Sequence, residues 1–254
     1  LQACGGGGGQ AAAAASVAAG LCVAAIGTDT MGSVRIPSAY CGIVGFKPSA
    51  GMISRAGVIP LSKRLDHVGV HASDVEGAAA LAHVLSGRDA DDDMHASPVR
   101  AARIQDLRGL RIGMIDHESS VASEPDVAAA FQAGLAAATR SGAMIDDQAG
   151  PELDLATLLR NGLLVCEAEL AATFGSALDA DDAVSKELGA LVKFAHTQSA
   201  VRLARAQAGL DDVQRACRHW FSQCDVLVSP TAPQTAFPHK QEAPATQACF
   251  TVLA

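Results

Sequence analysis

The sequence predicts an α/β fold, and three observations carry that expectation. An apolar run at 110–115 is followed by a helical stretch at 125–141 and a second apolar run at 143–145. Strand–helix–strand succession of this kind belongs to layered α/β domains. Hydrophobic residues fill 49% of the 254 positions, which excludes a disordered chain and suffices for one large core or two modest domains.

The elements follow in order. Residues 10–21 are almost all alanine, the strongest helix former, and Gly20 is the expected stop. A short strand at 22–26 ends at Gly27, a polar loop runs to Pro37, and 40–46 is a compact apolar stretch closed by Pro48 and Gly51. A helix over 74–85 takes Ser73 as N-cap, Glu76 as capping-box acid and Gly87 as terminator. Residues 88–98 hold four aspartates and read as a solvated sub-structure boundary. After the strand–helix–strand unit, 154–209 is largely helical, with segments at 183–191 and 192–208, and helix resumes at 213–220. A strand at 224–229 leaves through the rigid turn from Pro230 to Pro233.

Composition narrows the function. Glycine (24 residues) and the still more numerous alanine dominate, and aromatics are only 4% of the chain. A formal charge of −8 gives no electrostatic case for nucleic acid or an anionic membrane surface. Seven cysteines, an odd number, argue against a disulfide framework and fit a reducing, cytoplasmic setting. The apolar run 11–26 is shorter than the roughly 20 residues of a membrane span, and nothing at the start reads as a signal peptide. The opening LQACGGGGG and the apolar run at 249–254 both look cut, so the sequence reads as an internal fragment.

The chemistry-bearing segment runs from Gly27 to Pro37. Ser33 is reached through a short glycine-bearing loop after a strand, which suits a nucleophile whose flanking N–H groups face a developing oxyanion. Asp29 and Arg35 have the charge and spacing to pair across that loop and hold it. The wider segment GTDTMGSVRIPSAYCGIVGFKPS, with Gly51–Arg55, Gly57–Leu61, Leu65–Gly69 and the helix after Ser73, closely resembles the amidase signature family. These are Ser–Ser–Lys amide hydrolases that include the glutaminase A subunit of tRNA-dependent amidotransferases. More loosely, CDVLVSPTAP at 224–233 is similar to that family's late core strand and turn.

The resemblance implies an α/β/α layered fold with a central mixed sheet, incomplete here at both ends. It places 1–254 in part of a single domain: a signature and nucleophile region at 1–90, a strand–helix and helical region at 91–222, and the late core strand and turn at 223–254. It makes Ser33 the acyl-enzyme nucleophile and gives the oxyanion hole to the backbone of Thr30, Met31 and Gly32. Met31 stands where the family usually has glycine. The family's bridging serine falls on Gly9, or on Gly7 if the alanine run carries a two-residue insertion, so its hydroxyl is missing. The family's lysine base falls before residue 1, and Lys47 matches a structural turn. Without that relay the Ser33 hydroxyl is a weak nucleophile.

The implied activity is hydrolysis of a carboxamide to carboxylate and ammonia or amine through an acyl-Ser33 intermediate, impaired in this chain. Two alternatives stand beside it: an inactive or truncated amidase-like binding protein, and the glutaminase subunit of an amidotransferase. The implied ligand is a small-molecule amide, with no cofactor, metal, membrane or direct nucleic-acid partner. The assembly is a homodimer, or partner subunits for an amidotransferase role. His67 and His71 have HxxxH spacing but lack a helix to align them, so neither a metal site nor a substitute base is expected there.

Overall fold

The computed structural model describes residues 8–87, 89–92, 106–146, 153–178, 185–238 and 241–253. The first helix, α1 (Gly8–Ala18), buries Ala11, Ala14 and Val17 and leaves Ala12 and Ala18 exposed. A helix with no polar face is expected to be buried all round; this one is instead buried along one face. Alanine permits this, because it favours helix while exposing little apolar surface to water.

Three strands form an antiparallel sheet in the order β1-β3-β2. They are β1 (Ala24–Asp29), β2 (Val44–Phe46) and β3 (His67–Ala72), with α2 (Arg35–Cys41) between the first two. Gly27 does not end β1 as expected; it pairs with Gly69 in the middle of the ladder. A Cβ on Gly27 would overlap Gln10 Oε1 and lie 2.8 Å from His71 Nε2, so the missing side chain lets α1 and β3 close on the strand. The central strand β3 is buried at all six positions. Val70 and Ala72 pack against Ala78 and Ala82 of α3 (Val75–Leu85).

The N-cap of α3 is Asp74 rather than Ser73: the Asp74 carboxylate accepts from Gly77 N–H at 2.7 Å, and Ser73 Oγ donates to Asp74 Oδ2 at 3.2 Å. A carboxylate is the stronger partner for an orphan N–H at a helix start. Asp74→Ala is expected to lower stability by about 1 kcal/mol in urea melts, and Ser73→Ala by less. Equal losses would return the cap to Ser73.

The second sheet is parallel, in the order β5-β4-β6. It contains β4 (Arg111–Met114), β5 (Met144–Asp146) and β6 (Val226–Val228), and α4 (Pro125–Arg140) crosses between β4 and β5. The described strands thus form two three-stranded sheets of opposite sense. The reversals around β3 make the first antiparallel, and the helical crossover makes the second parallel.

Three helices complete the chain: α5 (Leu155–Leu178), α6 (Lys186–His196) and α7 (Ala200–Trp220). Helix expected across 192–208 breaks after His196 and restarts at Ala200, because the Ser199 side chain accepts from Arg202 N–H at 3.1 Å. The α7 helix then runs through Gly209 without a break. Leu155, Leu158, Leu159 and Val165 of α5 pack with Ala206 and Leu210 of α7 and with Cys249 and Phe250.

The acidic boundary lies partly outside the described residues, Asp93 included. Within them, Asp91 is exposed but Asp92 is buried, accepting from Arg55 N–H at 2.7 Å and pairing with the Arg55 guanidinium at 3.7 Å. The expected solvated loop is therefore anchored at Asp92. Cys22, Cys166, Cys217, Cys224 and Cys249 are free thiols and Cys41 is disulfide-bonded, so a bond exists but no multi-bridge framework among the described residues. Among the described residues no helix is long and apolar enough to cross a membrane.

Candidate functional site

The loop that carries Ser33 is organised by the last residue of β1. Asp29 is fully buried. Its Oδ1 accepts from Gly32 N–H at 2.7 Å, and its Oδ2 accepts from Val34 N–H at 3.2 Å and Arg35 N–H at 3.3 Å. The Arg35 guanidinium closes a bidentate pair, Nε to Oδ2 and an Nη to Oδ1, each at 2.9 Å. Burial by itself would raise the Asp29 pKa, but the Arg35 hydrogen bond and charge, with the Gly32 and Arg35 N–H groups, bring it below the usual value. The carboxylate is thus a fixed anion around which residues 29–35 fold.

The rest of the loop is tied at two further points. Thr30 Oγ1 donates to Asp66 Oδ1 at 2.6 Å, while Asp66 Oδ2 accepts from the N–H groups of Leu61 at 2.7 Å and Ser62 at 2.9 Å. Thr251 Oγ1 donates to Met31 O at 2.6 Å from the far end of the chain. Gly32 has φ +133°, a conformation that side chains rarely adopt, and it is packed under Thr251 and Ile36.

Met31 fits because its partner is a glycine. No non-glycine among the described residues has positive φ, so the Met31 backbone is unstrained. Its side chain packs on the α5–α7 core, and a Cβ on Gly162 of α5 would lie 2.5 Å from Met31 Sδ. The bulk that the loop acquires at Met31 is accommodated by the side chain absent at Gly162.

Ser33 itself is exposed, at the entry to α2. The N–H groups of Met31 and Ser33 have no hydrogen-bond partner among the described residues, whereas Gly32 N–H is already committed to Asp29. Of the expected oxyanion donors Thr30, Met31 and Gly32, Gly32 is therefore already engaged, while the N–H groups of Thr30 and Met31 have no partner among the described residues. Gly9 lies in α1, and Gly7 falls outside the described residues. Beside Gly9, Gln10 Nε2 donates to Thr28 Oγ1 at 3.0 Å, tying α1 to β1.

The candidate bases sit elsewhere. Lys47 Nζ donates to Pro48 O at 2.8 Å; burial, with the Arg35 charge and against that of Asp29, lowers its pKa to about 8. His67 Nδ1 donates to Leu65 O at 2.7 Å, and His71 Nδ1 shares a hydrogen with Ser38 Oγ at 2.8 Å. Burial lowers both histidine pKa values, and the Lys47 charge lowers that of His67 further. No hydrogen bond joins any of these groups to Ser33. Four residues along a strand put His67 and His71 about 13 Å apart, too far to share a metal. Among the described residues no group of three His, Cys, Asp or Glu side chains is placed to hold a metal ion.

Sequence reasoning singles out the loop but misses Asp66, Gln10, Gly162 and Thr251. Asp66 lies within the Leu65–Gly69 stretch, and its acid among apolar neighbours is a signal. The other three meet the loop only through tertiary structure: Gln10 and Thr251 by hydrogen bonds and Gly162 by packing.

A β-strand leading into this loop and helix, within an α/β layer fold, defines a class, and comparison with known proteins identifies it. The chain belongs to the amidase family, whose pattern spans residues 1–253. The glutamyl-tRNA(Gln) amidotransferase A subunit of Thermosynechococcus vestitus is 33% identical over 87% of this chain and 52% of its own length. The protein of that name from Deinococcus radiodurans is 41% identical over 56% of this chain and 30% of its own. The chain spans about half the length of curated relatives that match along most of it. Among solved structures, the corresponding protein of Thermotoga maritima superposes with TM-score 0.75 at 25% identity, covering 95% of this chain and 54% of that one. A bacterial aryl acylamidase of the amidase signature family superposes with TM-score 0.81 at 20% identity over 95% of this chain and 55% of its own, a likeness of fold.

Proposed function

We propose that this chain forms the nucleophile-bearing part of an amidase that cleaves a carboxamide to carboxylate and ammonia or amine through an acyl-Ser33 intermediate. The observation that carries the proposal is the exposed Ser33 on a loop whose backbone is held by buried Asp29. Ser33 Oγ attacks the amide carbon while its proton passes to the leaving nitrogen, which departs as ammonia or amine. The N–H groups of Thr30 and Met31, free of other partners among the described residues, serve the developing oxyanion, and water then hydrolyses the acyl-Ser33 ester to carboxylate and free Ser33. Thr30 positions the loop through Asp66, and Arg35 fixes the Asp29 carboxylate.

The reaction in this chain is slow. Positions 7 and 9, the two expected for the family's relay serine, are both glycine, and residue 10 is a glutamine engaged with Thr28, so neither position supplies a hydroxyl. Loss of part of a nucleophile–base unit costs several orders of magnitude in rate, with residual catalysis from binding and oxyanion stabilisation. That same loss favours a second reading, an amidase-like protein that binds without turnover. The name carried by the curated relatives favours a glutaminase subunit working with partner subunits. A cytoplasmic setting accompanies these readings; the five free thiols favour it and the Cys41 disulfide counts against it.

A fluorophosphonate probe tests the proposal. Slow labelling is expected at Ser33, located by mass spectrometry and absent in Ser33→Ala. A folded sample with no adduct at Ser33 would sink the catalytic reading in favour of binding without turnover.

A further inference from the structure

A cavity of about 400 Å³ opens between the end of α2, the helix α4 and the turn that follows β6. Tyr40, Asp126, Phe131, Pro230, Gln234 and Ala236 line it. Gln234 is only 9% exposed, yet neither its Nε2 nor its Oε1 has a hydrogen-bond partner, and the buried Tyr40 Oη has none either. Buried polar groups are nearly always paired, and three unpaired atoms on residues lining one cavity are unusual.

The surroundings hold these groups in place. The Tyr40 ring meets Phe237 edge-on at 5.6 Å, and the turn is fixed where Thr235 N–H and Oγ1 both donate to Glu124 Oε2, at 2.9 and 2.8 Å. Burial, with the nearby Glu124 charge, pushes the Tyr40 pKa up to about 12, so its hydroxyl stays a donor through the neutral range. Asp126 and Glu124 make the region unfavourable for an anion.

We propose that this cavity is a binding site for a neutral carboxamide, separate from the Ser33 loop. A primary amide presents one acceptor and two donors in a plane. Its carbonyl takes the Gln234 Nε2 hydrogen while its N–H gives to Gln234 Oε1, the cyclic pairing that two amides form, and Tyr40 Oη completes the set. Phe131 and Pro230 offer apolar walls for a flat substituent. A carboxylate lacks the N–H and meets the acids; a hydrocarbon leaves all three polar atoms unpaired. Tyr40 stands at the far end of α2, about 7–8 Å of helical rise beyond Arg35, so occupancy does not require the nucleophile.

Benzamide is the probe, titrated by calorimetry into the 254-residue chain carrying Ser33→Ala, so that binding is read without hydrolysis and independently of the Ser33 chemistry. Saturable binding is expected, with benzoate at least about tenfold weaker and Gln234→Leu weakening benzamide by about tenfold or more. A melting temperature at or above that of the parent confirms that Gln234→Leu is folded, since the change removes two unpaired polar atoms. If that variant does not fold, Tyr40→Phe carries the test, with a loss of about three- to tenfold. Benzoate equal to benzamide, no saturation, or unchanged affinity in the folded variants would overturn the proposal.

Discussion

Asp29→Ala is expected to cost about 3–5 kcal/mol of folding stability and to abolish labelling of Ser33 by a fluorophosphonate. The magnitude follows from what remains behind. Removing the carboxylate strands the largely buried Arg35 guanidinium and the N–H groups of Gly32, Val34 and Arg35, all of which point at one anion. Breaking a buried pair on one side leaves an uncompensated charge, which is costlier than the pair is stabilising. Asp29→Asn separates charge from shape: it keeps an acceptor for some of the N–H groups but loses the anion facing Arg35. Urea melts at neutral pH check both, and a loss below about 1 kcal/mol for Asp29→Ala would show that the loop is held by packing instead.

The same carboxylate gives a pH signature. Its pKa in the folded protein lies below the ordinary 3.8, so near that value the unfolded chain binds the proton and the folded one does not. The stabilisation is complete above the unfolded pKa and fades as pH falls through the folded one. The stability gap between wild type and Asp29→Asn is therefore expected to be constant from pH 7 to about 5 and to narrow below about 4. A gap independent of pH down to 3 would place the effect outside the ionised carboxylate.

Much of this arrangement is legible in the sequence because it is local. The strand, loop and helix from Ala24 to Cys41 carry apolar runs, glycines and charges within 18 positions, and the family resemblance is densest there. The α4 helix follows equally local signals, with Pro125 at its start and Gly142 just beyond its end. What escapes is set by distance along the chain or by competition between neighbours. Nothing near Gly27 announces that it faces Gly69 rather than ending a strand. Ser73 and Asp74 are both good caps, and the charged acceptor prevails. Residues 192–208 are continuous by composition, and only the Ser199 side chain decides where helix stops and restarts. The Met31 departure is awkward in isolation and is resolved by Gly162, which no local pattern connects to it.

The sharpest long-range dependence concerns Gly32, and Gly32→Ala is expected to cost about 2–5 kcal/mol. Two separate penalties add. Alanine at φ +133° occupies backbone space almost reserved for glycine, a strain of about 1–3 kcal/mol. Its Cβ would also overlap Thr251 Oγ1 and lie 2.5 Å from Ile36 Cδ1, so the turn carrying Thr251 must withdraw and release Met31 O. A double-mutant cycle separates the two, because Thr251→Ala relieves the overlap and leaves the φ strain. Gly32→Ala with Thr251→Ala should then lose about 1–2 kcal/mol less than the sum of the single changes. Additive losses would mean that the turn at Thr251 does not bear on the loop. A Gly32→Ala protein as stable as wild type would mean that the loop adopts another backbone path. In either outcome, Ser33 would not owe its position to residue 251, and the loop that carries it would be held by local contacts alone.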